Sequence, residues 1–358
     1  MDDFYEDLKR KNMDALWRVH LPGQTGSEPA PQYPPHKWDW DDIRPFMTRA
    51  GELVTPGPQA ERRVVLLLHP ALGSIRSASQ LLTANVQMVL PGEIAPPHRH
   101  TVAAIRFIIE GESAITIVDG ELVDMHPGDL VLTPALHWHG HENHSSGPTL
   151  WMDTLDRPLT VALGQSRFEQ YPANAQPLSR KQGDSSARYG LGLLRPRGVV
   201  SNKVSPVISY PWSQSEPALR TLAEIGEVDP FDDVTLDYTN PLTGGAVLPT
   251  IGCRIQMIRS GAHTQAHRHA YTSVYHVFRG RGSTIVDGVK LDWKAGDFFT
   301  LPPYCWHEHQ NATAEPAFLF SVTDAPVMDA LNYSREDPHP GNGHQAVLAT
   351  YEERYGAR

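Results

Sequence analysis

The chain has 358 residues and a formal net charge of −10, from 31 Lys and Arg against 41 Asp and Glu. It is long enough for two domains, and it carries no basic excess with which to displace counterions from a nucleic-acid backbone. No apolar run approaches the roughly 18 residues of a membrane span, and the acidic start Met1-Asp2-Asp3-Phe4 lacks the features of a secretory leader, which points to the cytoplasm. The two cysteines, Cys253 and Cys305, read as free core thiols in a reducing compartment.

At the N-terminus, Leu8, Met13, Leu16 and Trp17 recur at helical spacing and predict a short helix over Asp7 to Val19. A proline-rich arm follows from Leu21 to Pro45, a composition suited to wrapping a neighbour or a domain surface. From about Val64 to Leu159 the pattern changes to short β-rich runs, Ala103 to Ile109, Ala114 to Val118 and Leu130 to Leu132, punctuated by Asp-Gly and Pro-Gly turns. Such spacing predicts an antiparallel barrel or sandwich. Gly164 to Asn202 is polar and reads as a linker, Glu216 to Ile225 as a helix, Pro230 to Ala325 as a second β-rich unit, and the remainder to Arg358 as an irregular tail with a short helix. The domain reading is an arm over 1–63, barrels over 64–160 and 230–325, a linker and helical segment over 161–229, and a tail over 326–358.

Each β-rich unit carries the same histidine pattern. Pro97-His98-Arg99-His100 is followed by His137-Trp138-His139-Gly140-His141, and Ala266-His267-Arg268-His269 by Trp306-His307-Glu308-His309. Residues i and i+2 of a strand share a face, so His98 and His100 can approach one ion while Arg99 points away. His139 must then arrive from another strand. The pairs His98/His267 and His100/His269 are 169 residues apart, whereas Gly128/Gly296, Pro134/Pro302, His139/His307 and Asn143/Asn311 are 168 apart. One single-residue indel separates two copies of a domain, so the chain is a tandem duplication. Three imidazoles leave coordination positions open opposite them; the set suits a non-haem iron and equally a zinc that activates water.

The run Gly92-X5-His98-X-His100, with Gly128-X5-Pro134 and His139-X3-Asn143, resembles the two signature motifs of the cupin superfamily. Gly261-X5-His267-X-His269, with Gly296-X5-Pro302 and His307-X3-Asn311, repeats them. The resemblance implies an all-β bicupin: two tandem double-stranded β-helix (jelly-roll) barrels behind a helical and proline-rich N-terminal arm. One departure matters chemically. Cupins usually place a glutamate shortly after the second histidine, but Ala104 and Ser273 stand there, leaving each site three neutral ligands.

Arg106-Phe107-Ile108-Ile109-Glu110-Gly111, Trp138-His139-X-His141, Trp151-X-Asp153-X-Leu155-Asp156 and Glu61-Arg62-Arg63 further resemble the gentisate and salicylate 1,2-dioxygenases and their 1-hydroxy-2-naphthoate relative. That resemblance implies an iron(II)-dependent, extradiol-type enzyme. It inserts O2 between the carboxyl- and hydroxyl-bearing carbons of an aromatic acid, in a homotetramer, with neither nucleic acid nor membrane as partner. The expected metal ligands are His98, His100 and His139. Arg106 is expected to clamp the substrate carboxylate, with His141, Gln87 and Asp153 in the catalytic set and Arg62 and Asn85 in the substrate pocket. The bland competitors are Arg106 as a structural ion pair with Glu110 or another carboxylate, His141 as a buried packing residue, Trp138 and Trp151 as core aromatics, and His126, His137 and His144 as surface residues.

In the second cradle His267, His269 and His307 form a possible second metal site, and Gln256 matches Gln87. Tyr275, however, stands for Arg106 and Ser321 for Asp153. The C-terminal cupin is therefore expected to be structural or accessory. Asn85 in Thr83-Ala84-Asn85-Val86-Gln87 occupies a position where the family commonly has glycine or alanine, so a salicylate bearing an amino, nitro or halogen substituent competes with gentisate as substrate. Two readings from other classes remain. A bicupin isomerase or decarboxylase is expected to keep the missing glutamate, and a non-catalytic metal-binding bicupin has no need of two intact triads.

Overall fold

A computed structural model of the chain describes residues 2–18, 29–57, 61–112, 114–226, 228–341 and 343–356. Two barrels follow one another, each made of two sheets whose strands pair antiparallel, save that Ala349–Thr350 runs parallel to Val289–Lys294. In the first, a six-stranded sheet runs in the order Ser209–Tyr210, Leu130–Thr133, Ala104–Glu110, Thr149–Leu155, Ala84–Val89, Val64–Leu67. Its partner sheet is Phe168–Gln170, Ile94–His100, His139–Glu142, Ala114–Val118, Glu121–Met125. The second barrel repeats the order, from His36–Trp38 to Val234–Asp237 in one sheet and from Glu336–Pro338 to Ala349–Thr350 in the other.

The central strands are buried on both faces, which explains their near-continuous apolar runs. One set of alternating residues, Val86, Met88, Ile105, Phe107, Leu150 and Met152, joins Ile255, Met257, Phe318, Phe320 and Val322 in a single core between the barrels. Phe107 stacks on Phe320 there, with centroids 4.1 Å apart and planes 10° apart. The other set faces the barrel interior. It holds Val89, Ile108 and Trp151 at the closed end, and by the same parity Asn85, Gln87, Arg106 and Asp153. A one-residue slip of any strand would put a guanidinium or carboxylate into the inter-barrel core, so the register is strongly specified.

The N-terminal arm packs on the far barrel. His36–Trp38 pairs with Phe298–Leu301 of the second barrel, while Ser209–Tyr210, from the connection between barrels, pairs with Leu130–Thr133 of the first. Helices follow both strands. Trp40–Leu53 opens with the Trp40 N–H donating to Asp297 Oδ1 at 2.9 Å, and Trp212–Ile225 with the Trp212 N–H donating to Asp129 Oδ1 at 2.8 Å. The two indoles lie over Gly296 and Gly128, whose φ values of 94° and 91° and lack of Cβ admit the close approach. The duplicated unit thus includes a strand and helix that each copy lends to the other.

Several expected elements differ. The first helix is Asp2–Arg10, with Asp2 and Asp3 in its first turn and Lys9 and Arg10 in its last, as the helix dipole favours. Only the 3₁₀ turn Leu16–Arg18 follows, rather than a helix running to Val19. Residues 19–28 of the expected helix and arm lie outside the described residues; the arm becomes helical at Trp40 and carries Pro45 inside that helix. The polar linker contains the strand Phe168–Gln170 and the helix Asp184–Tyr189, and the tail contributes two edge strands. Cys253 and Cys305 are free and buried. Among the described residues no helix is long and apolar enough to cross a membrane.

Candidate metal centre

Strand Ile94–His100 carries His98 and His100 on one face, and His98 lies opposite His139 in the antiparallel register. The loop delivering His139 turns at Leu136, in the left-handed region at φ 63°, where the Leu136 N–H donates to the His100 carbonyl at 2.7 Å. The candidate ligand atoms of His98, His100 and His139 lie within 4.8 Å of one another. Outer partners fix the rings. Nδ1 of His100 donates to Val102 O at 2.7 Å and Nδ1 of His139 to His137 O at 3.0 Å, while Nδ1 of His98 meets Glu61 Oε1 at 2.6 Å. Carbonyl oxygens only accept, so the proton resides on Nδ1 and Nε2 keeps its lone pair. His139 Nε2 is buried with no hydrogen-bond partner. Burial holds His98 and His139 below the usual imidazole range and lowers His100 to about 4, so all three are neutral at pH 7. Neutral imidazoles, inward lone pairs and an orphaned nitrogen fit a divalent transition-metal ion.

The triad borders a cavity of about 350 Å³ whose walls include Asn85, Gln87, Arg62, Arg106, Asp153 and Ala104. Ala104 stands where the cupin glutamate is expected, and its methyl group leaves that side open. Arg106 is fully buried; it donates to Thr133 Oγ1, and its Nε stands 3.6 Å from Asp153 Oδ1, beyond hydrogen-bond range. Arg106 Nε, Gln87 Nε2 and Asp153 Oδ1 are all buried without hydrogen-bond partners. Arg62 Nη2 donates to Pro96 O at 2.6 Å, and burial, with Arg106 nearby, lowers its pKa to about 10. Burial raises the Asp153 pKa, a shift that Arg106 and Arg62 oppose. With Arg76 and Arg157 also lining the space, four guanidiniums face one carboxylate, an arrangement suited to an anion.

The structure brings His98, His100, His139, Arg62, Asn85, Gln87, Arg106 and Asp153 to one cavity. His141 is buried on the same strand, its ring 5.1 Å from Trp151 and 6.1 Å from His139, but it is not among the lining residues. Glu110 pairs with Arg44 at 2.8 Å, and the carboxylate that forms an ion pair with Arg106 is Asp153, at 3.6 Å. Sequence reasoning gave no separate role to Glu61, Arg76, Arg157 or Thr133. None carries a local signal, and only Glu61 fell within a family motif. Because Glu61 orients His98, Glu61→Ala is expected to weaken metal retention by the first triad roughly 10- to 100-fold without unfolding the barrel. A chelator competition with the full-length protein checks this; unchanged retention would show that the 2.6 Å contact does not support the ligand.

The second triad has the same frame and different surroundings. His267 lies opposite His307, Nδ1 of His269 meets Tyr271 O at 2.8 Å, Nδ1 of His307 meets Cys305 O at 3.1 Å, and the ligand atoms again lie within 4.8 Å. Tyr275, in place of Arg106, stacks on Phe299 with centroids 4.7 Å apart. A guanidinium enters instead at the position of Asn85, but Arg254 is committed to Asp237 at 2.8 Å and to Tyr271 Oη at 2.9 Å. Gln256, unlike Gln87, already donates to Asp232 O at 2.7 Å. Opposite His100 stands Phe168, whereas opposite His269 stands Glu336, 3.6 Å from His267 Nε2. Arg254 and Gln256 at the second site are thus paired, where Gln87 at the first has its Nε2 free of hydrogen-bond partners.

The cupin domain family matches residues 85–155 and 254–323. A 5-aminosalicylate 1,2-dioxygenase of Comamonas sp. is 40% identical over 98% of this chain and 94% of its own length. A gentisate 1,2-dioxygenase of Aquipseudomonas alcaligenes is 36% identical over 93% of this chain and 95% of its own. Among solved structures, the salicylate 1,2-dioxygenase of Pseudoaminobacter salicylatoxidans with gentisate superposes with a TM-score of 0.88, at 31% identity, over 95% of this chain and 94% of that one.

Proposed function

The chain belongs to the family of gentisate and salicylate 1,2-dioxygenases, and from that membership we propose that it opens the ring of a salicylate-type acid with O2, using iron(II) held by His98, His100 and His139. The observation that carries the reading is the juxtaposition of three neutral, inward-facing imidazoles with unpaired buried donors in one cavity. When bound, iron(II) would supply open coordination positions and a redox-active centre through which electrons of the substrate reach O2. Arg106 holds the substrate carboxylate, and Asp153 keeps that guanidinium aimed into the cavity. Gln87 offers its free Nε2–H to a substrate oxygen, and Arg62 adds positive charge while bracing the His98 strand through Pro96 O. His141, beside His139 with Nδ1 buried and lacking a hydrogen-bond partner, joins the catalytic set as a group that can bond a substrate oxygen. The second triad serves as an accessory metal site without a substrate pocket. A homotetramer fits the exposed apolar run Leu191, Leu193, Leu194 and Val200, which offers a subunit contact.

The metal is tested by stripping the protein and reconstituting it anaerobically with iron(II) or zinc(II). Substrate-dependent O2 uptake is expected with iron alone; uptake by the zinc form would overturn the iron reading.

Substrate choice follows from Asn85. Its Nδ2 donates to Thr83 Oγ1 at 3.2 Å, leaving Oδ1 to accept a hydrogen bond at the cavity wall. An accepting wall favours a ring bearing an amino or hydroxyl donor over an unsubstituted or nitro-bearing one. Asn85→Ala is therefore expected to lower the preference for 5-aminosalicylate and gentisate over salicylate by about tenfold, the equivalent of one neutral hydrogen bond. Steady-state kinetics on the three compounds measure it, and an unchanged ratio would remove Asn85 from the specificity account.

A further inference from the structure

On strand His307–Gln310 of the second barrel, His307 and His309 face inward and Glu308 faces out, yet the Glu308 side chain is 0% exposed. The tail covers it. The Gln345 N–H donates to both Glu308 oxygens, at 3.1 and 3.2 Å, and the Gln345 side chain is fixed by Gly288 N and Ile285 O, each at 3.0 Å. Among the described residues no lysine or arginine pairs with this carboxylate. Its ionisable neighbours are His263, with Nε2 3.3 Å from Oε1, and His344, with Nδ1 3.4 Å from Oε2. One ligand atom from each of the three lies within 4.8 Å of the others. Ligands at zinc bond lengths of about 2.0–2.1 Å stand roughly 3.3 Å apart on a tetrahedron, close to both separations.

The duplication supplies an independent comparison. Gln176 Nε2 donates to Ile117 O at 2.9 Å as Gln345 Nε2 does to Ile285 O, which aligns the two covering segments. By that alignment and the strand repeat, the first copy has Ile94, Gly140 and Ala175 where the second has His263, Glu308 and His344. Three residues without ligating side chains in one copy are three ligating residues in the other, on a face that neither barrel triad uses.

We propose that His263, Glu308 and His344 form a binding site for a zinc-class divalent cation that fastens the tail to the second barrel, with water completing the coordination. The buried carboxylate thereby acquires a cation, and a bond through His344 adds to the backbone contacts of Gln345. The two imidazoles now stack, with centroids 3.7 Å and planes 22° apart, so they splay to converge on one ion; their side chains, 30% and 47% exposed, have room to turn. The assignment is independent of the reaction at the first triad.

The full-length, iron-loaded protein is equilibrated with Zn2+, dialysed against metal-free buffer and analysed for zinc, beside the variant His263→Ala/His344→Ala carried through the same steps. Both barrel triads are common to the two proteins, so the difference reports this site alone. The wild type is expected to retain one zinc per chain more than the variant, and His344→Ala alone to bind that zinc at least tenfold more weakly. Equal thermal unfolding of both proteins in a chelator establishes that the exposed substitutions leave the fold intact. Equal zinc content would overturn the site.

Discussion

His100→Ala is expected to abolish ring cleavage, while His269→Ala retains at least half of it. The two histidines are equivalent by the duplication, and each donates Nδ1 to a carbonyl two residues on, at 2.7 Å to Val102 O and 2.8 Å to Tyr271 O. Their surroundings are not equivalent. Removing His100 takes one of three ligands from a cavity lined by Arg106, Gln87 and Asp153, and the loss should exceed the roughly 10- to 100-fold that disturbing a ligand's outer partner costs. Removing His269 affects a site where Tyr275 is stacked on Phe299, Arg254 is paired with Asp237, and Gln256 is bonded to Asp232. Metal content and turnover measured together separate the cases. An inactive, folded His269→Ala protein beside an active His100→Ala protein would reverse the assignment.

Arg106→Ala is expected to lower kcat/KM for a carboxylate-bearing substrate roughly 10- to 150-fold, the equivalent of about 1.5–3 kcal/mol for a hydrogen bond to a charged group. The guanidinium is fully buried, anchored by Thr133 and the ion pair with Asp153, and its Nε has no hydrogen-bond partner, so its donors are already desolvated. Arg106→Lys should recover only part of the loss, because an ammonium cannot reproduce a planar two-pronged contact. A phenol lacking the carboxylate, already a poor substrate, should be almost indifferent to either change. Thermal unfolding is measured alongside, since the substitution leaves Asp153 buried with only Arg62 to oppose its burial. Unchanged kinetics in a folded Arg106→Ala protein would show that the side chain does not hold the substrate.

Much of the site was legible because strand geometry is periodic. The i, i+2 spacing of His98 and His100 and the parity of Asn85, Gln87, Arg106 and Asp153 follow from alternation of side chains across a sheet, and the third histidine recurs in both copies by the duplication. What stayed hidden was non-local. Nothing near Glu61 in sequence announces that it bonds His98, 37 residues away, and nothing in the proline-rich arm tells that His36 pairs with Thr300 of the far barrel. The helix Trp40–Leu53 was masked by Pro45 inside it, a residue that ordinarily ends a helix. In the second barrel Tyr275 at the Arg106 position was visible, but the commitment of Arg254 and Gln256 to neighbouring partners depends on contacts made only on folding.

Ring opening at the first triad is expected to place both atoms of O2 in the product. The most direct measurement is mass spectrometry of the product formed by the iron(II)-loaded protein from 5-aminosalicylate or gentisate under 18O2 in ordinary water. A ring-opened product heavier than its substrate by two oxygen atoms, both isotopically labelled at formation, is expected, and none from His100→Ala. A product with its ring intact, or one whose new oxygen came from water from the outset, would contradict it.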